Sequence, residues 1–380
     1  MHQPPGNLLD LLNNATKWHE AKQILLAYQR PLDYAERYPD MARFCVCFSG
    51  VLLEQLQDPE LIDRCWDFTD IPKMLDRYAA ASNIELAGTG YYHPLFPLIP
   101  ADDWRNHIQR GRDKVVEVFG RTPVIFWPPE LGFSCEMIPD LVDAGYRQVL
   151  CDGVHLRPER GLTPSEMFYH PFIAEQSGAQ IVLIPRDAQL SLAQQGGTSP
   201  DWFCDEVLRK TSGLQGPALV TTWTDGENGN WFRNEHEPSN YWGHFFAPYL
   251  ENMRAGTAIL QPTSLADFLA QYPPDQKTSV RSGSWEYNPS KSEASSFERW
   301  AGSREQREVL DELHSISKEY EYAVERAGAK PSSAIADQLA KAHDQILRAE
   351  ASDNLYYGSG WLWRARDALA QARQFLSAIS

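Results

Sequence analysis

The sequence predicts an α/β fold, a parallel sheet with covering helices, followed by a C-terminal helical bundle. Two patterns predict it. Short apolar runs alternate with longer amphipathic ones up to about residue 270, and three long helical periodicities follow a polar stretch. The elements come in order. Asn83–Ala87 reads as a strand and leads to a helix over Ala101–Phe119, introduced by Pro100. Val124–Trp127 precedes a helical run over Cys135–Ala144, and Gln148–Cys151 follows as the next strand. Ile181–Pro185 leads to a helix near Pro200–Lys210, then to a strand over Ala218–Thr222. A helix over Tyr241–Met253, a strand over Ala258–Leu260 and a helix starting near Ser264 complete the sheet part. The expected division is a catalytic part over 1–272, a linker over 273–296 and a helical domain over 297–380, built on Ser303–Glu325, Ser332–Ala351 and Leu362–Ile379.

The bulk composition narrows the function. With 51 acidic against 35 basic residues the formal charge is −16, a field that repels phosphate backbones, so nucleic acid is not an expected partner. The 12 Trp, 16 Tyr and 16 Phe suit stacking on sugar faces, and equally suit a large core. The six cysteines form no C-x-x-C pair and sit mostly in apolar runs, as buried thiols of a reducing compartment do. No basic-then-apolar leader and no 18-residue apolar run is present, so a cytoplasmic protein without a membrane span is expected. The polar opening His2-Gln3-Pro4-Pro5 has no strand before it, so either the start lies upstream or the sheet lacks its first strand.

Chemistry concentrates where apolar runs end in a carboxylate. Val124-Ile125-Phe126-Trp127-Pro128-Pro129-Glu130 is one such segment, and Leu219-Val220-Thr221-Thr222-Trp223-Thr224-Asp225 is the other. Residues just past the C-terminal ends of barrel strands line the active site, so two carboxylates presented this way can face one substrate. Aromatic neighbours would desolvate each of them and raise a pKa for acid work. The plainer alternatives are a helix cap by Glu130 near Ser134, and an ordinary turn at Asp225-Gly226. Asp225, Glu227 and Asn228 hint at half a calcium loop, but the EF-hand spacing is absent. Two further segments read as site walls. One runs from Glu85 to His93-Pro94 around a glycine-bearing turn. The other is Ala351-Ser352-Asp353 with Trp361 and Trp363 behind it. Singly, His93 and these tryptophans are as well explained by structure and core. The ten histidines include no pair three to five apart, and no G-x-S-x-G, Walker or G-x-G-x-x-G motif occurs. Metal ligation by such a pair, serine-nucleophile hydrolysis and nucleotide binding lose support; carboxylate chemistry remains, with no cofactor or metal expected.

Read in order, five blocks resemble those of glycoside hydrolase family 57. They are His2-Gln3-Pro4, the Glu85–His93 stretch, Trp127-Pro128-Pro129-Glu130, Asp225-Gly226-Glu227 and Ser352-Asp353 with its trailing aromatics. The resemblance implies a (β/α)7-type barrel followed by a helical domain, and a retaining double displacement on α-glucans. It implies Glu130 as nucleophile and Asp225 as general acid/base. His2, Glu85, His93, Glu227 and Asp353 would hold the sugar or orient the carboxylates, and Trp223 and Trp231 would serve as stacking platforms. Asn228-Gly229-Asn230-Trp231 stands where branching members carry a Phe-Gly-His-Trp-like run. The Asp-Gly-Glu-Asn sequence is closer to the amylopullulanase and glucanotransferase types. Three rivals share parts of this pattern. A 4-α-glucanotransferase would use the same residues. A metal-dependent polysaccharide deacetylase needs an H-x-x-x-H spacing that is absent. A silent carbohydrate binder would have no need of a desolvated carboxylate pair.

Overall fold

The computed structural model describes residues 1–159, 161–257, 260–286 and 296–379. Its centre is a six-stranded sheet built from β1 (Phe44–Cys47), β2 (Ile84–Gly88), β3 (Ile125–Phe126), β4 (Gln148–Asp152), β6 (Phe172–Gln176) and β7 (Ala179–Arg186), in the order β1-β2-β3-β4-β7-β6. β1, β2, β3, β4 and β7 run parallel, and β6 joins β7 antiparallel. The β6–β7 hairpin turns through Ser177 and Gly178, both at positive φ (51° and 82°), as a two-residue turn matched to strand twist requires. A small antiparallel pair, β5 (Leu156–Pro158) with β8 (Thr278–Val280), forms a second sheet that adjoins β6, where Ile173 N–H donates to the Gln276 carbonyl at 2.8 Å.

The parallel strands are covered on both sides, which is why they read as continuous apolar runs rather than as alternation. One core packs helices 18–37, 50–56 and 71–80 around Val46, Phe48 and Leu86. Another gathers Phe126, Val149, Leu183 and Tyr146 under helices 101–119 and 138–143. Helix Ala101–Phe119 begins after Pro100 and stops at Gly120, whose φ of 62° gives the left-handed cap that favours glycine. Gly111 lets this helix approach the Thr89 carbonyl: an added Cβ there would lie 2.1 Å from that oxygen. The turn carrying His93 is therefore pressed directly against the helix.

Ala218–Thr222, expected as a strand, forms no strand. Leu219 N–H donates to the Tyr169 carbonyl and Asp187 N–H donates to the Thr221 carbonyl, two partners on different segments rather than one continuous ladder. Of the expected strand over 258–260, residues 258 and 259 lie outside the described residues, as do 287–295 of the expected linker. The expected helix over 241–253 is present as a π-helical turn, Tyr241–Phe246, continuing into an α-helix over Ala247–Arg254.

The C-terminal helices Arg304–Ala327, Ser333–Ala349 and Leu362–Ser377 share an apolar core with Trp300, Leu313, Ile346 and Leu369. Ser303 and Ser332 cap the first two. Leu95, on the loop after β2, enters the same core. A buried polar pair reinforces that junction: His107 Nε2 lies 2.7 Å from Glu350 Oε2, with both side chains fully buried. Burial drives the Glu350 carboxyl well above its ordinary range and holds His107 down to about 3, so burial favours the neutral form of both partners. Glu350→Ala orphans the imidazole and is expected to cost about 1–3 kcal/mol in urea unfolding. Glu350→Gln, which keeps a neutral partner of the same shape, is expected to cost little. An equal loss in both variants would contradict the neutral-pair account.

Candidate active site

The site forms beyond the C-terminal edge of the sheet, where Cys47, Gly88, Phe126, Asp152 and Arg186 end their strands. Glu130 follows β3 on a tight turn with its backbone in the left-handed region (φ 57°, ψ 16°), and Leu131 follows at φ 51°. Two successive non-glycine residues there store strain of the kind found at functional sites. Trp285 N–H donates to the Glu130 carbonyl at 2.9 Å, which holds the turn. The side chain is buried, and burial raises its pKa well above normal, with the Asp353 and Asp225 carboxylates adding to the rise. The Ser352 hydroxyl donates to Glu130 Oε1 at 3.1 Å and works in the opposite direction.

His93, also in the left-handed region (φ 59°), completes a short relay. Ser352 spends its one proton on Glu130, so His93 Nδ1 donates to the Ser352 oxygen, 3.0 Å away. Desolvation keeps His93 neutral, its pKa well below 6.5. Its ring stacks on His2 with centroids 4.1 Å apart and planes 9° apart. His2 in turn reaches Asp353 Oδ2 through Nε2 at 2.6 Å and Ser49 Oγ through Nδ1 at 2.8 Å. With Nε2–H donating to the carboxylate, Nδ1 accepts from the serine. The polar opening segment is anchored at both of its first residues. Met1 pairs its main chain with Cys47 and Ser49 at the end of β1, and His2 N–H donates to Glu227 Oε1 at 2.6 Å.

Asp225 is half-buried after the extended segment beside β7. Desolvation raises its pKa first, the Glu227 carboxylate next, while a hydrogen bond with Asn228 lowers it. Glu130 and Asp225 thus both bind a proton more tightly than free carboxyls do, Glu130 partly through the charge of Asp225. The folded state keeps a proton that the unfolded chain releases above the ordinary carboxylate range, so the carboxyl costs stability increasingly as pH rises from that range. Glu130→Gln is therefore expected to raise Tm by about 2 °C or more at pH 7–8, with the gain vanishing near pH 4. Thermal melts across pH check this, and a gain confined to acid pH would contradict it.

The structure brings Glu130, Asp225, His2, His93 and Asp353 to one place. Glu227 joins them from a buried position, only 2% exposed, with its carboxylate accepting the N–H groups of His2 and Gly226. Glu85 is not brought there. It sits early in β2, and its two oxygens accept the N–H groups of Leu265 and Ala266 at 2.7 and 3.1 Å, a helix cap. Trp223 stacks on Trp127 (4.6 Å, 13°). Trp231 packs edge-on against His244 among the aromatics of 241–246. Three residues were missed. Ser49 and Ser352 carry short hydroxyls with no motif of their own. Tyr357 is half exposed, and its phenol is pushed up to about 12 by burial and then by the charges of Asp353, Glu130 and Asp225. Its signal was its place in the aromatic run after Asp353; its ring meets Trp361 at 4.6 Å. The ligand atoms of His2, His93 and Asp353 lie within 4.8 Å of one another. The 2.6 Å His2–Asp353 contact is a hydrogen bond, shorter than the roughly 3.4 Å that two ligands of a tetrahedral zinc keep.

A cluster of carboxylates at the C-terminal edge of a parallel sheet, backed by a helical domain, marks an α/β protein whose candidate site is made chiefly of carboxylates. The chain belongs to glycosyl hydrolase family 57, whose model matches residues 7–280. His2 and Asp353 lie outside that match, and the structure joins them to it. An α-amylase of Pyrococcus horikoshii is 29% identical over 191 residues, 50% of this chain and 27% of its own length. A 4-alpha-glucanotransferase of Thermococcus litoralis is 26% identical over 189 residues, 50% of this chain and 26% of its own. The chain thus spans about a quarter of the length of the curated relatives it matches. The solved structure of a GH57 branching enzyme from Thermococcus kodakaraensis superposes with a TM-score of 0.71 at 16% identity, over 94% of this chain and 84% of that one, a likeness of fold.

Proposed function

We propose that the protein is a retaining glycosidase acting on α-glucans by double displacement. Glu130 attacks the anomeric carbon, the C–O bond to the leaving chain breaks, and Asp225 gives its proton to the departing oxygen. Asp225 then takes a proton from water, or from the hydroxyl of an acceptor sugar, as that oxygen displaces Glu130. The observation that carries this reading is the strained turn that delivers a buried Glu130 into a cluster with the half-buried Asp225 and Asp353. The Ser352–His93 and His2–Asp353 contacts hold the cluster while the substrate's positive charge develops. Transfer to a second glucan uses the same residues, and curated relatives of both kinds support leaving both acceptors in the proposal. Among the described residues no helix is long and apolar enough to cross a membrane. Six free thiols support a reducing, cytoplasmic compartment.

Incubation with maltoheptaose and soluble starch tests the substrate class. Shorter oligosaccharides alone identify a hydrolase, and a ladder of longer and shorter chains identifies a transferase. Unchanged substrate would overturn the α-glucan assignment.

A further inference from the structure

Outside the carboxylate cluster, one buried cation touches the supports of both Glu130 and Asp225. Arg186 ends β7 directly across from Asp152, which ends β4, and the two are 4% and 1% exposed. Arg186 Nη1 lies 3.1 Å from Asp152 Oδ2, and Nε donates to the Trp223 carbonyl at 2.9 Å. The guanidinium carbon lies 5.6 Å from the ring centroid of Trp285. Trp223 stands two residues before Asp225. Its N–H donates to Ser191 Oγ at 3.1 Å, and its ring stacks on Trp127. Trp285 is the residue whose N–H holds the Glu130 carbonyl, and its ring meets Trp127 edge-on at 5.8 Å.

We propose that Arg186 is a positioning residue that fixes the Asp225 segment relative to the Glu130 turn, with Asp152 setting the orientation of its guanidinium. A buried ion pair adds little stability over a well-packed apolar replacement, so the contribution of this one lies in what the guanidinium holds. Three directed contacts from one planar group suit arginine; the single ammonium of lysine cannot reproduce them. The spacing matters because retaining displacement works with carboxyl groups about 5–5.5 Å apart. A misplacement of about 1 Å costs on the order of 10²-fold in rate.

The inference rests on the glycosidase reading for its kinetic part and on geometry alone for the rest. Arg186→Met by itself strands Asp152 as a buried charge, so the informative protein is the full chain carrying Arg186→Met and Asp152→Asn together, beside Arg186→Lys. Two readouts are needed. The stacked Trp127–Trp223 pair gives an exciton couplet in circular dichroism, identified by its loss in Trp223→Phe. Steady-state kinetics on maltoheptaose give kcat and KM separately. The double variant is expected to melt cooperatively, lose the couplet and lose kcat by about 10²-fold, with KM within about threefold. Arg186→Lys is expected to restore neither. Retention of the couplet, or a wild-type kcat, in the folded double variant overturns the assignment. If the wild type leaves maltoheptaose untouched, the glycosidase reading fails separately, and the couplet, which needs no substrate, still decides for or against Arg186.

Discussion

Glu130→Gln is expected to reduce turnover of maltoheptaose by about 10⁴-fold or more while leaving the oligosaccharide bound. Gln keeps the shape and can still accept from Ser352, but an amide cannot form the glycosyl-enzyme bond. The loss should therefore appear in kcat. Glu130→Ala opens space at the same point, and the account makes a stereochemical statement about it. With an activated aryl α-maltoside, azide entering from the vacated side displaces the phenol directly and yields the β-glycosyl azide. Formation of the α-azide by Glu130→Ala would show that another residue still makes the covalent bond, and would remove Glu130 from the role.

Asp225→Ala should slow hydrolysis of maltoheptaose by about 10²–10⁴-fold, the usual range for a missing general acid/base. The effect divides by step. An aryl leaving group needs little protonation, so the β-glycosyl intermediate on Glu130 still forms and then accumulates, because no base activates water. Azide needs no base, and here it intercepts the intermediate from the opposite face to give the α-azide. The two variants thus yield opposite anomers if the roles are as assigned. Equal anomers from both, or no azide rescue of Asp225→Ala, would contradict the division of labour.

Part of this site was legible in the sequence because its residues follow apolar runs. Glu130 and Asp225 each end a segment whose preceding residues read as strand, and the place just past a strand's C-terminal end is where such sites form. The segment before Asp225, 218–222, bonds to two partners instead of forming a ladder, yet still leads Asp225 to the carboxylate cluster. Glu85 failed for a reason the same rule contains. It lies three residues before the end of β2, not past it, so the strand delivers it to the helix at Leu265 and not to the cleft. Trp231 shows why an aromatic beside an acid is ambiguous in sequence: it also packs in a core, here the cluster around His244 and Phe245. Ser352 stood inside a recognised block without a role of its own and Ser49 in none, since a hydroxyl acquires meaning only from what the fold sets beside it. Arg186 was hidden in the same way: as the last residue of a strand it matches no motif, and its partners stand 34 and 37 positions away. The sheet and the three C-terminal helices came through periodicity, whereas β1 and the antiparallel β6, short and adjoining longer elements, did not.

The most direct test of the central claim is the configuration of the first product. Proton NMR of maltoheptaose hydrolysis, followed from the first seconds before mutarotation mixes the anomers, reports the anomeric signal of each newly formed reducing end. Double displacement through Glu130 predicts that the α-anomer appears first and relaxes toward the equilibrium mixture. Initial release of the β-anomer would mean a single displacement by water, and would contradict the nucleophilic role of Glu130.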